Sequence, residues 1–362
     1  MMRNVLITGG AGFIGSNFIR YILEKESDLQ IINLDALTYA GSLENLKNLP
    51  DEERHTFIKG DICDHSLVED IMRRHHIDTI VHFAAESHVD RSILGPAKFI
   101  QTNVFGTFSL LDAARQVWLG EGVQPSEKVR FHHISTDEVF GSLSPDDPPF
   151  SETTSYAPNS PYAASKAASD HLVRTYAHTY DLPITITNCS NNYGPYQFPE
   201  KLIPLMILNA MQGLPLPIYG DGLQVRDWLY VEDHCEAIHF VLKQGRLGQT
   251  YNIGGDNQPT NLELVRQLCS ILDEHLPQSP YTPHEGFITF VTDRPGHDRR
   301  YAMDIRKIQH ELDWSPREDL ASGLHKTVLW YLENIDWVDS IRAGSEYSEW
   351  LECNYERRGG VN

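Results

Sequence analysis

The sequence is poor in cysteine and has no long apolar run. Its five cysteines are scattered, odd in number and without a C-x-x-C pair, so they indicate neither a disulfide framework nor a zinc site. No apolar run approaches the roughly 20 residues that cross a bilayer, so we expect no membrane partner. The 17 histidines show no H-E-x-x-H or comparable ligand spacing. We therefore expect no bound metal.

Basic residues are also scarce relative to acidic ones. The chain has 30 Lys and Arg against 50 Asp and Glu, a net charge of −20, which repels polyanions and argues against nucleic-acid binding. An anionic substrate must then be held by local cations or by helix N-termini. The first residues, MMRNVLITGGAGF, enter a strand pattern at once and leave no room for a secretory signal. We expect a cytoplasmic protein.

Short apolar runs alternate with amphipathic stretches along the first half of the chain. This alternation predicts an α/β fold with a Rossmann-like, doubly wound parallel sheet. We expect that sheet within residues 1–190, and a smaller C-terminal α/β domain over residues 191–362, some of whose segments return to the first sheet. The predicted strands are 5–8, 31–34, 56–58, 79–83, 130–135 and 184–189, and helices are predicted at 201–212, 232–243 and 262–275.

A glycine-rich turn follows the first predicted strand. Gly9, Gly12 and Gly15 form a G-x-x-G-x-x-G pattern that leads into a helix, where a pyrophosphate can approach the backbone. Asp35 ends the second strand and can accept hydrogen bonds from both hydroxyls of an adenosine ribose. No cation follows it that could hold a 2′-phosphate, so NAD is favoured over NADP. The alternative is a structural glycine turn with a capping aspartate. The flanking residues expected at this site are Phe13, Ile14, Ala36, Leu37 and Thr38.

A tyrosine and a lysine lie four residues apart, at Tyr162 and Lys166, and hence on one face of a helix. A free tyrosine has a pKa of about 10, so a neighbouring cation and the charged nicotinamide must favour the phenolate before it can act as a base. The strand ending in Ser135 and Thr136 supplies hydroxyls that could bind the same substrate oxygen. Alone, the pair could be a surface contact worth a few tenths of a kcal/mol. Together these features predict a catalytic centre.

With the motifs GGAGFIG and YAASK and the strand-end Ser-Thr, the chain resembles the extended short-chain dehydrogenase/reductase family over nearly its entire length. Within that family, the segments at 84–92, 135–141 and 293–300 are similar to those of sugar-nucleotide dehydratases. The resemblance implies tightly held NAD, dTDP-glucose as the substrate, and a homodimer formed by helices near 99–118 and 160–180. Core packing against the sheet explains the apolar faces of those helices nearly as well.

The resemblance also implies individual catalytic roles. Thr136 would bind the sugar 4-hydroxyl, Tyr162 would be the base of the oxidation at carbon 4, and Lys166 would also hold the nicotinamide ribose. Asp137 would be the acid and Glu138 the base that eliminate water across carbons 5 and 6, before hydride returns to carbon 6. Without the preceding motif, an Asp-Glu dipeptide would be interpreted as a solvated loop.

Further contacts follow from the family positions. Arg226 is favoured for the diphosphate because its guanidinium fork suits that group. Lys201 and His297 could equally be ordinary surface residues, and the cofactor contacts near residues 61 and 83 could be plain strand ends. The cofactor contacts implied are Asp61, Ile62, Phe83, Ala84, Ala85, Ser87, Thr102 and Asn192. The substrate contacts implied are Ser87, Thr136, Asn191, Glu200, Lys201, Leu202, Pro217, Ile218, Tyr219, Arg226, Asn261, Arg294 and His297.

Two other functions compete with this interpretation. A UDP-sugar epimerase or decarboxylase is disfavoured by the run Thr136, Asp137 and Glu138. A catalytically idle NAD-binding sensor or scaffold predicts the loss of Tyr162, Lys166 or the carboxyls, and all are present. The preference for thymine over cytosine or uracil depends on the shape of the pocket, which motifs do not fix.

Overall fold

A parallel seven-stranded sheet forms the centre of the molecule. The computed structural model describes residues 2–120, 129–293 and 295–343. Its strands are β1 (Asn4–Thr8), β2 (Gln30–Asp35), β3 (His55–Lys59), β4 (Thr79–His82), β5 (Arg130–Thr136), β6 (Ile184–Cys189), β7 (Asn191–Tyr193), β8 (Leu216–Tyr219), β9 (Trp228–Tyr230), β10 (Thr250–Ile253) and β11 (Ile288–Val291). The order in the central sheet is β10-β6-β5-β4-β1-β2-β3. The predicted Rossmann-like, doubly wound sheet is confirmed.

Helices connect these strands and cover the sheet. They are α1 (Phe13–Lys25), α2 (His65–Arg74), α3 (Val89–Leu94), α4 (Pro96–Phe99), α5 (Thr107–Leu119), α6 (Pro161–Tyr180), α7 (Leu202–Met211), α8 (Val231–Gln244), α9 (Asn261–His275), α10 (Arg306–Leu312), α11 (Leu320–Glu333) and α12 (Ile335–Arg342). A π-helical segment, Ile100–Gly106, joins α4 to α5. In the part of the chain that the structure describes, no helix combines the length and hydropathy that a bilayer crossing requires.

Side chains of β1 alternate between two apolar clusters on opposite faces of the sheet. Val5 and Ile7 belong to the cluster beneath α1 and α8, whereas Leu6 belongs to the cluster beneath α2, α5 and α6. Both faces are covered, so β1 is a continuous apolar run from Val5 to Ile7 rather than an alternating pattern. The carboxyl ends of the parallel strands therefore meet at one edge, which is where ligands bind in open α/β sheets.

The chain beyond β6 builds a second core and also returns to the first sheet. Its own core includes Tyr193, Trp228, Leu324 and Tyr331, and two small parallel sheets, β7-β9 and β8-β11, lie in this half. β10 pairs with β6 at the edge of the central sheet. A domain boundary at residue 190 stays a prediction, and the second half is described only as far as residue 343.

Helix α6 begins where the catalytic centre requires its first turn. The Ser160 hydroxyl accepts a hydrogen bond from the Ala163 amide at 3.1 Å, and Pro161 occupies the first helical position, where its missing N–H costs nothing. Tyr162 follows in that first turn. The local sequence thus fixes the start of α6 and the place of the tyrosine at the cavity.

Candidate active site

Two adjoining cavities open at the carboxyl ends of the sheet strands. The larger has a volume of about 320 Å³ and the smaller about 180 Å³. They form one continuous site because five residues line both: Ser87, Glu138, Asn191, Glu200 and Lys201.

The larger cavity gathers nearly all the predicted cofactor contacts and the catalytic residues. Its lining includes Gly9, Gly12, Phe13, Ile14, Gly15, Asp35, Ala36, Thr38, Asp61, Ile62, Phe83, Ala84, Ala85, Ser87, Thr102, Thr136, Asp137, Glu138, Tyr162, Lys166 and Asn192. Leu37 does not belong to this lining. Its backbone has φ +53°, and its amide donates to Asp35 Oδ1 at 2.7 Å. Leu37 therefore orients the Asp35 carboxylate through its backbone.

The smaller cavity gathers the predicted substrate contacts of the second half. Its lining includes Leu202, Pro217, Ile218, Tyr219, Arg226, Asn261 and His297 together with the five shared residues. Arg294 lies outside the described residues. The side chains of His297 and Tyr219 contact edge to face, with centroids 6.2 Å apart.

The turn after β1 needs glycine at two places. Gly9 has φ +73°, and a Cβ there would lie 2.6 Å from the Ala84 amide nitrogen. A Cβ at Gly15 would lie 2.3 Å from the Gly9 carbonyl oxygen. Gly12 caps α1 without a side chain, and the first turn of α1 has no acidic residue. The free N–H groups at this helix end can therefore receive an anion such as a pyrophosphate.

Asp35 is oriented by two backbone amides at the end of β2. Its Oδ2 accepts from Ala11 at 2.9 Å and its Oδ1 from Leu37. Burial raises the pKa of Asp35, against the effect of these two hydrogen bonds. Ala36 and Thr38 beside it on the cavity wall carry no positive charge. These residues fit the ribose diol of an NAD-type cofactor and do not fit a 2′-phosphate.

Thr136 and Tyr162 both line the larger cavity, where the Thr136 hydroxyl donates to Asp137 Oδ1 at 3.2 Å. Thr136 ends β5, and its Oγ1 also accepts from the Glu138 amide at 3.2 Å. Burial raises the pKa of Tyr162 well above its ordinary value, and the nearby Glu138 carboxylate adds to this. The protein's own residues thus keep Tyr162 as a neutral phenol. The lower pKa that the sequence predicts for Tyr162 therefore requires the positive charge of a bound nicotinamide ring.

The two adjacent carboxyls have different surroundings. Asp137 is 2% exposed, and its Oδ2 has no hydrogen-bond partner. Burial raises its pKa well above the ordinary range, and the carboxylates of Glu138 and Asp227 add to this. Glu138 is half-buried and lines both cavities. A protonated acid beside a carboxylate is the arrangement that proton donation and proton removal at neighbouring carbons require.

Lys166 lies one helical turn behind Tyr162. Its ammonium group donates to the Ile134 carbonyl at 2.7 Å. Burial lowers the pKa of Lys166 to about 8, while the Asp170 carboxylate opposes this change.

Arg226 is embedded in the wall between the halves of the molecule. It is 5% exposed, donates to the carbonyls of Val225 at 2.8 Å and Asp298 at 2.9 Å, and stacks at 4.3 Å over the Tyr301 ring. These contacts fix the direction of the guanidinium. Its charge lowers the pKa of Asp137 against the larger effect of burial, so it lies within electrostatic reach of the catalytic carboxyl.

Several residues of the site were not predicted. The described lining also contains Tyr39, Glu86, His88, Asp90, Gln197, Phe198, Trp228 and Tyr301. His88 and Asp90 lie inside the motif at 84–92, and Tyr39 directly follows Thr38, so those motifs could have been extended to reach them. Trp228 and Tyr301 carry no such sequence signal.

Asn103 is a further unpredicted residue that shapes the cavity wall from outside. It lies in the π-helical segment, where its Oδ1 accepts from the Glu86 amide at 2.8 Å and its Nδ2 donates to the Glu86 carbonyl at 2.9 Å. The same Nδ2 donates to Ser165 on α6 at 2.8 Å. One buried amide thus ties the loop after β4 to the helix that carries the tyrosine and lysine.

Known proteins match this arrangement along nearly the whole chain. The sequence profile of the family described as GDP-mannose 4,6 dehydratase matches residues 6–327. A dTDP-glucose 4,6-dehydratase of Salmonella typhimurium is 55% identical over 98% of this chain and 99% of that protein.

Solved structures agree with the sequence comparison. A dTDP-glucose 4,6-dehydratase of Bacillus anthracis in complex with NAD is 45% identical, with a TM-score of 0.83, over 94% of this chain and 99% of that one. Another, of Streptomyces venezuelae with NAD and a second ligand bound, is 46% identical, with a TM-score of 0.84, over 93% and 99%. This chain belongs to the GDP-mannose 4,6-dehydratase family of extended short-chain dehydrogenases/reductases.

Proposed function

We propose that this chain is an NAD-dependent dehydratase that converts dTDP-glucose to dTDP-4-keto-6-deoxyglucose. The observation that carries the proposal is the pair Asp137 and Glu138, a buried carboxyl with raised pKa beside a half-buried carboxylate, next to Tyr162. An epimerase needs no such acid and base, because it eliminates nothing. The relatives that match this chain along almost its full length carry the name of the same activity.

NAD is the cofactor in this proposal, and the chain offers a place for each of its parts. The free amides at the start of α1 would hold the pyrophosphate, Asp35 the adenosine ribose, and Lys166 the nicotinamide ribose. Bound NAD would take a hydride from carbon 4 of the sugar and return it to carbon 6. The chain itself must then supply the proton transfers and exclude water.

Tyr162 and Thr136 serve the oxidation. Both hydroxyls line the larger cavity, and the sugar 4-hydroxyl would bind between them. Tyr162 receives the proton of that hydroxyl. Because burial and Glu138 oppose formation of the phenolate, this transfer depends on added positive charge, which a bound nicotinamide ring would supply and the Lys166 ammonium, one helical turn away, would support.

Asp137 and Glu138 serve the elimination. A ketone at carbon 4 acidifies the hydrogen on carbon 5, which the Glu138 carboxylate removes. Asp137 gives its proton to the hydroxyl that leaves carbon 6, and Asp137 is suited to this because its surroundings keep it protonated. After hydride has returned to carbon 6, a proton from solvent is added at carbon 5, which completes the conversion. The two carboxyls thus divide the acid and base roles of the elimination.

The smaller cavity would hold the nucleoside diphosphate. Arg226 presents a fixed guanidinium there, and Lys201 and Asn191 line the junction between the cavities. A local cation is needed because the protein as a whole has a net charge of −20. The lining of Pro217, Ile218 and Tyr219 is suited to the flat apolar face of a base.

The proposal includes a cytoplasmic homodimer. Apolar side chains remain exposed along the π-helical segment, α5 and α6, where Phe105 is 45% exposed, Phe108 39% and Tyr180 45%. Burial of such side chains against a second copy would be favourable.

Product analysis tests the function. Purified protein is incubated separately with dTDP-, UDP-, CDP- and GDP-glucose, and the products are identified by mass spectrometry and NMR. We expect loss of water and a 4-keto-6-deoxy sugar from dTDP-glucose first, and none with Tyr162→Phe. Formation of the 4-epimer without loss of water would replace the dehydratase by an epimerase.

A further inference from the structure

A buried carboxylate lies behind the catalytic centre and takes no part in the proposed reaction. Asp170 is 0% exposed and lies eight residues after Tyr162 and four after Lys166 on α6. These spacings correspond to about two turns and one turn, so the three side chains share one face of the helix. Tyr162 and Lys166 line the larger cavity, whereas Asp170 lies outside its lining.

Four side chains contact this carboxylate, and one of them is Asn188 on β6, which donates its Nδ2 to Oδ2 at 3.4 Å. Ser135 on β5 donates its hydroxyl to Oδ2 at 2.9 Å, and the Tyr156 hydroxyl donates to the same oxygen at 2.7 Å. His133 Nε2 lies 3.2 Å from Oδ1. The contacts come from β5, β6 and the loop before α6, so they hold Asp170 relative to the sheet and not only to its own helix.

His133 is a neutral neighbour of Asp170. Burial and the Lys166 charge lower the pKa of His133 to about 4. Its Nε2 lies 3.5 Å from the Lys166 ammonium nitrogen as well as 3.2 Å from Asp170 Oδ1, so the neutral ring lies between the two charged groups. Burial opposes ionisation of Asp170, but hydrogen bonds from His133 and Tyr156 and the Lys166 charge hold the pKa of Asp170 below its ordinary value. Asp170 is thus a carboxylate.

Lys166 needs a negative charge to remain an ammonium ion at this depth. It is 4% exposed, and both acceptors near its ammonium group, the Ile134 carbonyl at 2.7 Å and His133 Nε2 at 3.5 Å, are uncharged. Burial lowers its pKa to about 8, and Asp170 opposes that change. The other titratable or charged groups that face the pair are His82, His133, Tyr156, Tyr162, Arg174 and Cys189. Burial lowers the pKa of His82 and raises those of Tyr156, Tyr162 and Cys189, so each of these four is neutral near pH 7.

We infer that Asp170 is a positioning residue whose fixed, buried carboxylate, with His133 between it and Lys166, stabilises the charge of the Lys166 ammonium group beneath the catalytic cavity. It acts on the reaction only through Lys166. Its effect on turnover rests on the proposed function, because Lys166 is there expected to favour the Tyr162 phenolate and to hold the nicotinamide ribose. The charge pair itself does not depend on the substrate.

The direct test is the titration of Lys166 in the folded chain with Asp170→Asn. Protein labelled at the lysine ε-carbon is titrated by NMR, and the Lys166 signal is assigned by its loss in Lys166→Met. The asparagine is nearly isosteric, and Ser135, Tyr156 and His133 can each reverse from donor to acceptor. Asp170→Ser gives the same test with a smaller uncharged side chain should the amide not pack.

We expect Lys166 to titrate near pH 8 in the unaltered chain. Asp170 lies one helical turn from Lys166. Loss of its charge in Asp170→Asn and Asp170→Ser should lower the titration midpoint of Lys166 by about one pH unit or more, and Asp170→Glu should restore the midpoint. Tyr156→Phe is the matched control, because it removes one hydrogen bond from the same carboxylate and leaves the charge. It should lower thermal stability while moving the Lys166 titration far less. An unchanged Lys166 titration in both uncharged variants would overturn the inference.

Turnover separates this inference from the proposed function. If the unaltered chain dehydrates dTDP-glucose and Asp170→Asn lowers kcat at pH 8 with little change in KM, both stand. If the unaltered chain yields no dehydrated product while the Lys166 titration shifts as expected, the proposed function fails and the charge pair stands. If dehydration occurs and Asp170→Asn neither shifts Lys166 nor lowers kcat, the positioning role alone fails.

Discussion

At the scale of single residues, the site separates two chemically similar groups by their surroundings. Asp137 and Glu138 are adjacent in the chain, yet Asp137 is enclosed and lacks a partner at Oδ2, whereas Glu138 faces both cavities. The cost of burying a charge falls on Asp137 alone. The burial of Asp137 makes it a proton donor, and it also lowers the free energy of unfolding when Asp137 is ionised.

Asp137→Asn should therefore stabilise the fold at neutral pH while reducing activity. The pKa of Asp137 is raised in the folded chain, whereas the unfolded chain releases this proton at about pH 3.9. The free energy of unfolding therefore falls as the pH rises from about 3.9 to the pKa of the folded state. The uncharged amide removes this penalty. Thermal unfolding should show a higher Tm for the variant at pH 7 and no difference near pH 4. A lower Tm at pH 7 would contradict the assignment.

Glu138→Gln should uncouple oxidation from elimination. An amide is too weak a base to remove the carbon 5 proton, whereas Tyr162 is untouched, so reduced cofactor should accumulate on the enzyme after mixing with dTDP-glucose. Loss of a general base lowers turnover by about 10²–10⁴-fold. Rapid-mixing absorbance records both effects, and Tyr162→Phe is the control in which the absorbance stays low. Normal turnover by Glu138→Gln would exclude it as the base.

Prediction of single residues from the sequence succeeded where the spacing along the chain is enough to bring two side chains together. Tyr162 and Lys166 are neighbours on any helix, so their juxtaposition needs no knowledge of the fold. Asp170 has the same spacing from Lys166, but its partners Ser135 and Tyr156 come from other elements. Those contacts exist only once α6 has packed on β5, and no local pattern predicts them.

At the scale of elements, the turn from β1 to α1 combines a backbone requirement with a binding surface. Gly9 adopts a left-handed conformation against the strand that ends beside Ala84, and the tight turn leaves the α1 amides free. Any side chain at Gly9 would push against backbone rather than against a movable side chain.

Gly9→Ala should lower the free energy of unfolding by more than backbone strain alone explains. Gly248 is the matched control, because it also has positive φ, +77°, but nothing lies within 4 Å of a Cβ there. Gly248→Ala should cost about 1 kcal/mol of unfolding free energy, from backbone strain. Gly9→Ala should cost clearly more and release NAD, measured by denaturant unfolding and by the cofactor content of the purified protein. Equal costs with NAD retained would contradict the close approach at Gly9.

The elements themselves follow the apolar pattern closely, with one informative exception. β5 extends over Arg130–Thr136 where 130–135 was predicted, and α9 over Asn261–His275 where 262–275 was predicted. The pattern from 99 to 118 predicted one helix, but the structure interrupts it with the π-helical segment. There the Asn103 carbonyl accepts from Thr107 and from Ser169 of α6. A tertiary contact of this kind leaves no mark on the periodicity.

At the scale of the whole molecule, the fold joins two cavities that are proposed to bind different groups, the cofactor in the larger and the nucleoside diphosphate in the smaller. The larger lies against the central sheet and the smaller against the second core, and Arg226 lies where the halves meet. The general architecture followed from the alternation of strands and helices. The return of β10 to the sheet edge was expected only in general terms, because a four-residue strand gives too short a pattern to locate.

Arg226→Ala should weaken dTDP binding by about 1.5–3 kcal/mol, the range for hydrogen bonds to a charged group, and leave NAD binding little changed. Calorimetry with dTDP and with NAD measures both. Since the side chain also donates to the carbonyls of Val225 and Asp298, some loss of stability will accompany the change. Arg226→Lys keeps the charge and should recover part of the affinity. Unchanged affinity for dTDP would remove Arg226 from the diphosphate site.

The central claim, one pocket that oxidises carbon 4, eliminates water and reduces carbon 6, is tested most directly by following hydrogen. The unaltered protein is supplied with dTDP-glucose carrying deuterium at carbon 4, and the product is analysed by NMR. We expect the deuterium to move to carbon 6, because the cofactor stays bound between the two redox steps. A parallel run with unlabelled substrate in deuterated water should place one solvent deuteron at carbon 5. Loss of the carbon 4 label to solvent would contradict the account.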